Sequence, residues 1–227
     1  MDWDALAHQI DADGHAVTPV PLLDPDACDE LRDGFDDDRR YRSTIDMARY
    51  RFGEGVYRYF RYPLPAPVAA LREVAYPSLA RVANEWQARL GEVDRYPDRL
   101  AAFTARCRAA GQDRATPLLL RYEAGGYNCL HQDLYGEVAF PLQITVALTR
   151  PGEDFTGGEN LFVEQRPRSQ SRGTAVTVPF GHGVVFPTRY RPVGGARGHY
   201  RVAVRHGVST VHAGERVTLG IIFHDAR

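Results

Sequence analysis

His131, Gln132 and Asp133 set an imidazole and a carboxylate two residues apart, and much further along the chain His206 and Arg216 stand ten residues apart. Two imidazoles and one carboxylate, with no cysteine among them, form the donor set that holds Fe(II) on one face and leaves the other coordination positions open. On a strand, residues i and i+2 share a face, so His131 and Asp133 can reach one ion. The third ligand must come from far away, and His182, His199, His206, His212 and His224 are the candidates. His206 is preferred: it ends a strand-like run, and an antiparallel return in the next strand can carry Arg216 back beneath the metal. A guanidinium is a fixed cation that grips a carboxylate through two parallel hydrogen bonds. The four residues together predict a metal with an organic diacid as co-substrate, and that pairing means oxygen activation.

Further landmarks surround these residues. Tyr122-Glu-Ala-Gly-Gly-Tyr127 precedes His131, and Thr156-Gly-Gly-Glu159 and Gly183-Val-Val-Phe186 follow it. The series closes with His206-Gly-Val-Ser-Thr-Val211 and Gly214-Glu-Arg-Val-Thr218. In this order, over Pro117 to Asp225, the chain resembles the Fe(II)/2-oxoglutarate-dependent dioxygenases. It is similar to the catalytic core of prolyl 4-hydroxylases, and within the superfamily it looks closest to a bacterial branch of oxygenases acting on damaged nucleic acid. The resemblance implies Fe(II) on His131, Asp133 and His206, with 2-oxoglutarate and O2 as co-substrates. It implies that Arg216 holds the distal carboxylate of 2-oxoglutarate, helped by the Thr218 hydroxyl, and that Tyr122 lines the same pocket. Competing readings make Thr218 a strand-former pointing at its neighbours and Tyr122 a core residue. His212, with arginine only four residues later, fits the family spacing less well. The implied reaction decarboxylates 2-oxoglutarate to succinate while a substrate C–H bond is hydroxylated; on an N-methyl group the resulting alcohol is unstable and expels formaldehyde.

The elements that must position these groups fall into two textures. Trp3, Leu6 and Ile10 recur at helical spacing before Gly14, and Asp24-Pro25 reads as a cap and first helical residue for a helix through Leu31 and Phe35. Val68 to Leu90 traces a longer amphipathic helix that Pro77 should kink, and another helix around Leu100, Phe103 and Cys107 ends near Gly111. After Pro117 the pattern changes to short strands between glycine- and proline-bearing turns: 118–122, 143–149, 161–164, 174–178, 184–186, 200–205 and 217–223. The expected fold class is α+β, with a double-stranded β-helix (jelly roll) core backed by N-terminal helices. One domain is expected over 1–227, with 1–116 as helical support plus a hairpin lid and 117–227 as the catalytic jelly roll.

Composition narrows the class. A net charge of −1 advertises neither nucleic acid nor a membrane surface. All 28 basic side chains are arginine. Cys28, Cys107 and Cys129 are odd in number and lack paired metal spacing, so they read as reduced thiols, and no signal-like or membrane-spanning run is seen. A cytoplasmic protein is expected.

The substrate rests on the N-terminal region. Arg49-Tyr-Arg-Phe52 and Val56-Tyr-Arg-Tyr-Phe-Arg-Tyr62 read as two strands of a hairpin turning at Gly53-Glu-Gly55. Arg49, Arg51, Tyr57, Arg58, Tyr59 and Arg61 interleave cations with stacking faces, which suits nucleic acid; the plain reading is a half-buried structural hairpin. Arg166, Arg168 and Arg172, with Arg189, Arg191 and Arg197, could extend a positive rim. Three functions follow: dealkylation of damaged nucleic acid; hydroxylation of a prolyl peptide, free amino acid or other small metabolite, which the ten-residue spacing favours over AlkB-type demethylases; or a non-catalytic metal-binding sensor. The third is weakest because every ligand and the arginine are present. The oligomeric state is not readable.

Overall fold

A computed structural model of the chain describes residues 1–166, 168, 170–196 and 198–227. The N-terminal half runs α1 (Trp3–Asp13), β1 (Ala16–Val17), α2 (Pro25–Asp33), β2 (Tyr41–Asp46), the helical turn α3 (Met47–Tyr50), β3 (Gly53–Glu54), β4 (Val56–Phe60), α4 (Ala66–Arg89) and α5 (Leu100–Ala109). Strands follow: β5 (Leu118–Tyr122), β6 (Tyr127–His131), β7 (Leu142–Ala147), β8 (Phe155–Gly157), β9 (Asn160–Arg166) and β10 (Gln170–Val176). The chain closes with β11 (Gly183–Pro187), β12 (Tyr190–Gly195), β13 (Gly198–Val208), β14 (Val211–Gly214) and β15 (Arg216–Ile221).

Local chemistry accounts for the helix ends. The Asp2 carboxylate accepts from the amides of Asp4 and Ala5, and Gly14 ends α1 at φ 80°. Asp24 caps α2 in the same way, with Pro25 at its first position. Helix α4 continues through Pro77 to Arg89. Trp86 Nε1 donates to Asp11 at 2.8 Å and ties α4 to α1.

Seven strands form the major sheet in the order β1-β11-β7-β15-β5-β4-β2, and β10-β9-β13-β6-β3 form the minor sheet opposite it. All pairings between these strands are antiparallel, as a jelly roll requires. The period of two divides the major sheet cleanly. Leu119, Ile144, Val146, Val217, Leu219 and Ile221 join the helices in one core cluster. Their alternates Leu118, Leu120, Tyr122, Gln143, Thr145, Arg216, Thr218 and Gly220 line a cavity between the sheets. This double burial is why β15 is buried along its whole length.

Three details differ from the sequence expectation. The segment 49–62 is not one hairpin. β4 pairs instead with β2 on one side and β5 on the other, so it is part of the cavity wall and not a lid. The linking residues form a turn capped by Asp46 and then cross to the minor sheet, where Gly53 pairs with Asn128. Second, Asp133 lies two residues beyond the end of β6. Third, Arg216 is not on the strand after His206: β14 intervenes and pairs with β8, and the arginine returns on the opposite sheet. Among the described residues no helix is long and apolar enough to cross a membrane, and Cys28, Cys107 and Cys129 are all free thiols.

Candidate active site

His206 near the end of β13 sits directly across from His131 at the end of β6. The two rings are 4.3 Å apart between centroids. Between His131 and Asn128 the register slips, two residues of β6 (Cys129 and Leu130) opposing one of β13 (Gly207). This bulge turns both Asn128 and His131 toward the cavity, which strict alternation would forbid. Gly207 lets the strands close over it, since a Cβ there would lie 2.6 Å from the Asn128 carbonyl.

Asp133 completes the cluster. Its carboxylate oxygens lie 3.4 Å from His131 Nε2 and 3.0 Å from His206 Nε2. The three ligand atoms fall within 4.8 Å of one another. The His131 Nδ1–H donates to the Cys129 carbonyl at 2.8 Å, which leaves the Nε2 lone pair facing the cluster. Burial lowers the His206 pKa, with Asp133 opposing only in part, a direction that favours the neutral ring a metal ligand needs. Burial would raise Asp133, but the charge of His206 and the two histidine rings beside its carboxylate hold it well below the usual carboxylate range. Burial would lower His131, but the hydrogen bond and charge of Asp133 leave it raised. An ionised carboxylate and two imidazole nitrogens aimed at one point suit Fe(II).

Across a cavity of about 340 Å³, Arg216 forms the other pole. It is 2% exposed. Its guanidinium donates to Asn160 Oδ1 at 3.1 Å and Thr218 Oγ1 at 3.4 Å, both neutral, and lies 5.5 Å from the centre of the Tyr122 ring. Burial lowers its pKa, with only Tyr122 and Glu159 pulling the other way. No carboxylate among the described residues is in ion-pair range of Arg216. A buried guanidinium without a counter-charge is costly unless an anion arrives to pair it. Tyr122 is fully buried, receives a long hydrogen bond from Asn128 at 3.4 Å, and is pushed up to about 12 by burial, so it faces the cavity as a neutral phenol.

The substrate-side residues divide. Tyr57 and Tyr59 line the cavity, and Phe52 lines it beside them. Arg49 and Arg51 are exposed. Arg58 points to the opposite face of β4 and is 7% exposed, bonded to the Phe35 carbonyl, Thr44 and Asp38 and lying over the Tyr41 ring. Its guanidinium is engaged within the fold and does not line the cavity. Arg61 donates to the Tyr41 carbonyl at 2.8 Å and does not line the cavity. In the expected rim, Arg166 and Arg191 pair with Glu164, and Arg172 approaches Asp13 at 3.9 Å, whereas Arg189 is exposed and Arg197 lies outside the described residues. Asn128, Gln143, Thr145 and Asn160 were missed as cavity residues. The alternation Gln143-Ile144-Thr145-Val146 was a usable signal, because two polar side chains sharing one face of an apolar strand need a polar volume to face.

Residues 55–226 match the model of a family described as "Oxygenase, catalysing oxidative methylation of damaged DNA". The chain belongs to this oxygenase family. An uncharacterized protein of Mycobacterium tuberculosis, found in two strains, is 52% identical over 167 residues, spanning 74% of this chain and 72% of the relative. Among solved structures, the oxygenase is similar to a Pseudomonas putida prolyl-4-hydroxylase (TM-score 0.57, 14% identity, 99% of each chain covered). It is also similar to a Burkholderia pseudomallei oxidoreductase of the 2OG-Fe(II) oxygenase family (TM-score 0.58, 15% identity, 100% of this chain and 93% of that one). These two likenesses show the shared jelly-roll fold. Family and donor set together make the protein an oxygenase whose His131, Asp133 and His206 suit Fe(II).

One consequence concerns Gly158. Its φ is +64°, and an added Cβ would lie 2.8 Å from Arg216 Cδ. Gly158→Ala is expected to cost about 1–2 kcal/mol of stability from the left-handed backbone alone. Displacement of the arginine should also raise the KM for 2-oxoglutarate several-fold. Thermal melts and initial rates at varied co-substrate check both.

Proposed function

We propose that this oxygenase hydroxylates an N-alkyl group on a damaged nucleic-acid base, with His131, Asp133 and His206 as iron ligands and Arg216 as the anchor for 2-oxoglutarate. Bound iron supplies oxygen activation at the expense of 2-oxoglutarate, which leaves as succinate and carbon dioxide while a substrate C–H becomes C–OH. The protein's own part is placement. Arg216 pairs with the distal carboxylate, Thr218 and Asn160 keep the guanidinium aligned, and Tyr122 closes the pocket beside it. On the ligand side, Phe52, Tyr57, Phe162 and Phe186 give apolar walls that exclude water from the reacting carbon. The observation that carries the reading is the set of flat aromatic faces lining the cavity with Asp133 and His206, which suits a planar base more than an extended peptide. The family is described as acting on damaged DNA. Hydroxylating a methyl group on nitrogen removes it as formaldehyde, so the proposed outcome is demethylation.

A second reading is favoured by the arginines. With Arg58 and Arg191 buried, and Arg61 and Arg166 hydrogen-bonded within the protein, part of the expected cationic footprint is committed to the fold and not to phosphates. A small neutral substrate, such as a prolyl peptide or free amino acid, needs no phosphate contacts.

The test is product formation with Fe(II), 2-oxoglutarate and O2 across N-methylated oligonucleotides, their unmethylated counterparts, proline peptides and free amino acids. Equimolar succinate and formaldehyde with methylated oligonucleotides alone is the expected result. Succinate formed with a proline peptide and not with any oligonucleotide selects the second reading. Oligonucleotide affinity should also fall with salt by about one log unit of slope per phosphate contact. Replacing Arg49 and Arg51 together should reduce that slope by up to about two. Arg58→Gln should leave the slope alone but lower stability by on the order of 1–3 kcal/mol, because the Phe35 carbonyl loses its buried donor. An unchanged slope in the Arg49/Arg51 double variant removes this segment from the interface.

A further inference from the structure

Tyr135 lies two residues beyond Asp133, and its hydroxyl donates to Asp133 Oδ1 at 2.8 Å. The Tyr59 hydroxyl in turn donates to the Tyr135 hydroxyl at 3.0 Å. Tyr59 is held on three sides: by β4 in the major sheet, by the Arg42 guanidinium 4.6 Å from the centre of its ring, and by the edge of Tyr57 at 5.4 Å. Tyr135 meets Tyr59 edge to face at 5.9 Å and leans on His224 at 5.9 Å. Asp133 itself has no strand to fix it, since β6 ends at His131. A two-link chain of phenols therefore runs from the rigid major sheet to the one carboxylate of the cluster, which stands on irregular backbone.

We propose that Tyr135, aligned by Tyr59, is a positioning residue that fixes the orientation of the Asp133 carboxylate toward the metal. The proposal rests on the reading of His131, Asp133 and His206 as the metal site. A carboxylate free to rotate about its terminal torsion must be ordered when metal binds. A phenol occupying one lone pair of Oδ1 removes that freedom in advance and leaves the remaining lone pairs for the ion. Outer partners of this kind tune a site through its ligands. Neither phenol needs to touch the reacting atoms. Tyr57, stacked edge-on against Tyr59, lines the same wall of the cavity, so contact with the prime substrate there reaches Asp133 through two hydroxyls.

The experiment is Mn(II) binding by calorimetry, without turnover, to the full-length wild type, Tyr135→Phe, Tyr59→Phe and the double variant, alongside thermal melts of the metal-free proteins. Tyr135→Phe is expected to weaken Mn(II) binding by roughly 10- to 100-fold with a near-unchanged metal-free Tm. Tyr59→Phe is expected to weaken it less, and the double variant no more than Tyr135→Phe alone, as serial links behave. A tyrosine with a merely structural role would lower Tm and leave the metal affinity in place. A wild type that takes up one Mn(II) per chain and a Tyr135→Phe protein that binds it equally well would overturn the proposal alone. A wild type that binds none would overturn the reading of the site beneath it.

Discussion

Asp133→Ala is expected to abolish turnover and to weaken Fe(II) binding by more than about 100-fold, since losing a direct ligand costs more than losing an outer partner. The carboxylate is the only anionic donor in the cluster, and the two imidazoles left behind carry no charge to offset the ion. The fold should survive, because Asp133 lies past the end of β6 at the edge of a cavity and supports no core packing. Circular dichroism and thermal melts of the metal-free protein check that the loss is of the ligand. A variant that retained stoichiometric iron would place the metal elsewhere.

Arg216→Ala should raise the Kd for 2-oxoglutarate by roughly 30-fold or more, the equivalent of about 2–5 kcal/mol for a buried charge left unpaired. The direction follows from what surrounds the guanidinium: two neutral hydrogen-bond partners, an aromatic face and no carboxylate, in a cavity whose other end is the metal cluster. Iron affinity should change little by comparison. Arg216→Lys should fall between, since an ammonium keeps the charge but not the paired donors. Unchanged co-substrate affinity in Arg216→Ala, by calorimetry, would remove this arginine from the account.

Much of this site was legible because its signals are short-range or strictly periodic. The Leu118–Tyr122 strand and the capped helices each need only a few neighbouring residues to specify them, and His131 and Asp133 do converge, though Asp133 does so from irregular backbone past β6 and not from one strand face. The alternation along 216–221 correctly put Arg216 and Thr218 on one face, yet the route by which Arg216 comes opposite His206 was misread. The chain crosses between sheets by way of β14, and no local pattern reports which sheet a strand will join. The same limit applies at 49–62. Arginine and tyrosine alternate there as they would on a nucleic-acid surface, but the alternation sends Tyr57 and Tyr59 into the cavity and Arg58 onto Phe35 and Tyr41. A period of two states that residues separate, not which face is wet. The bulge in β6 was equally hidden, because it arises from the register of β13 against β6 and not from either strand alone.

The proposed function needs the two poles of one cavity, the His131, Asp133 and His206 cluster and the Arg216 anchor, to act together on one co-substrate. Anaerobic calorimetry of 2-oxoglutarate with the wild type, in the presence and absence of stoichiometric Fe(II), tests this most directly when repeated with His206→Ala and Arg216→Ala. One 2-oxoglutarate per chain, bound tightly only with Fe(II) present and weakened in both variants, is the expected result. A His206→Ala protein that takes up one Fe(II) and one 2-oxoglutarate as tightly as the wild type would contradict it.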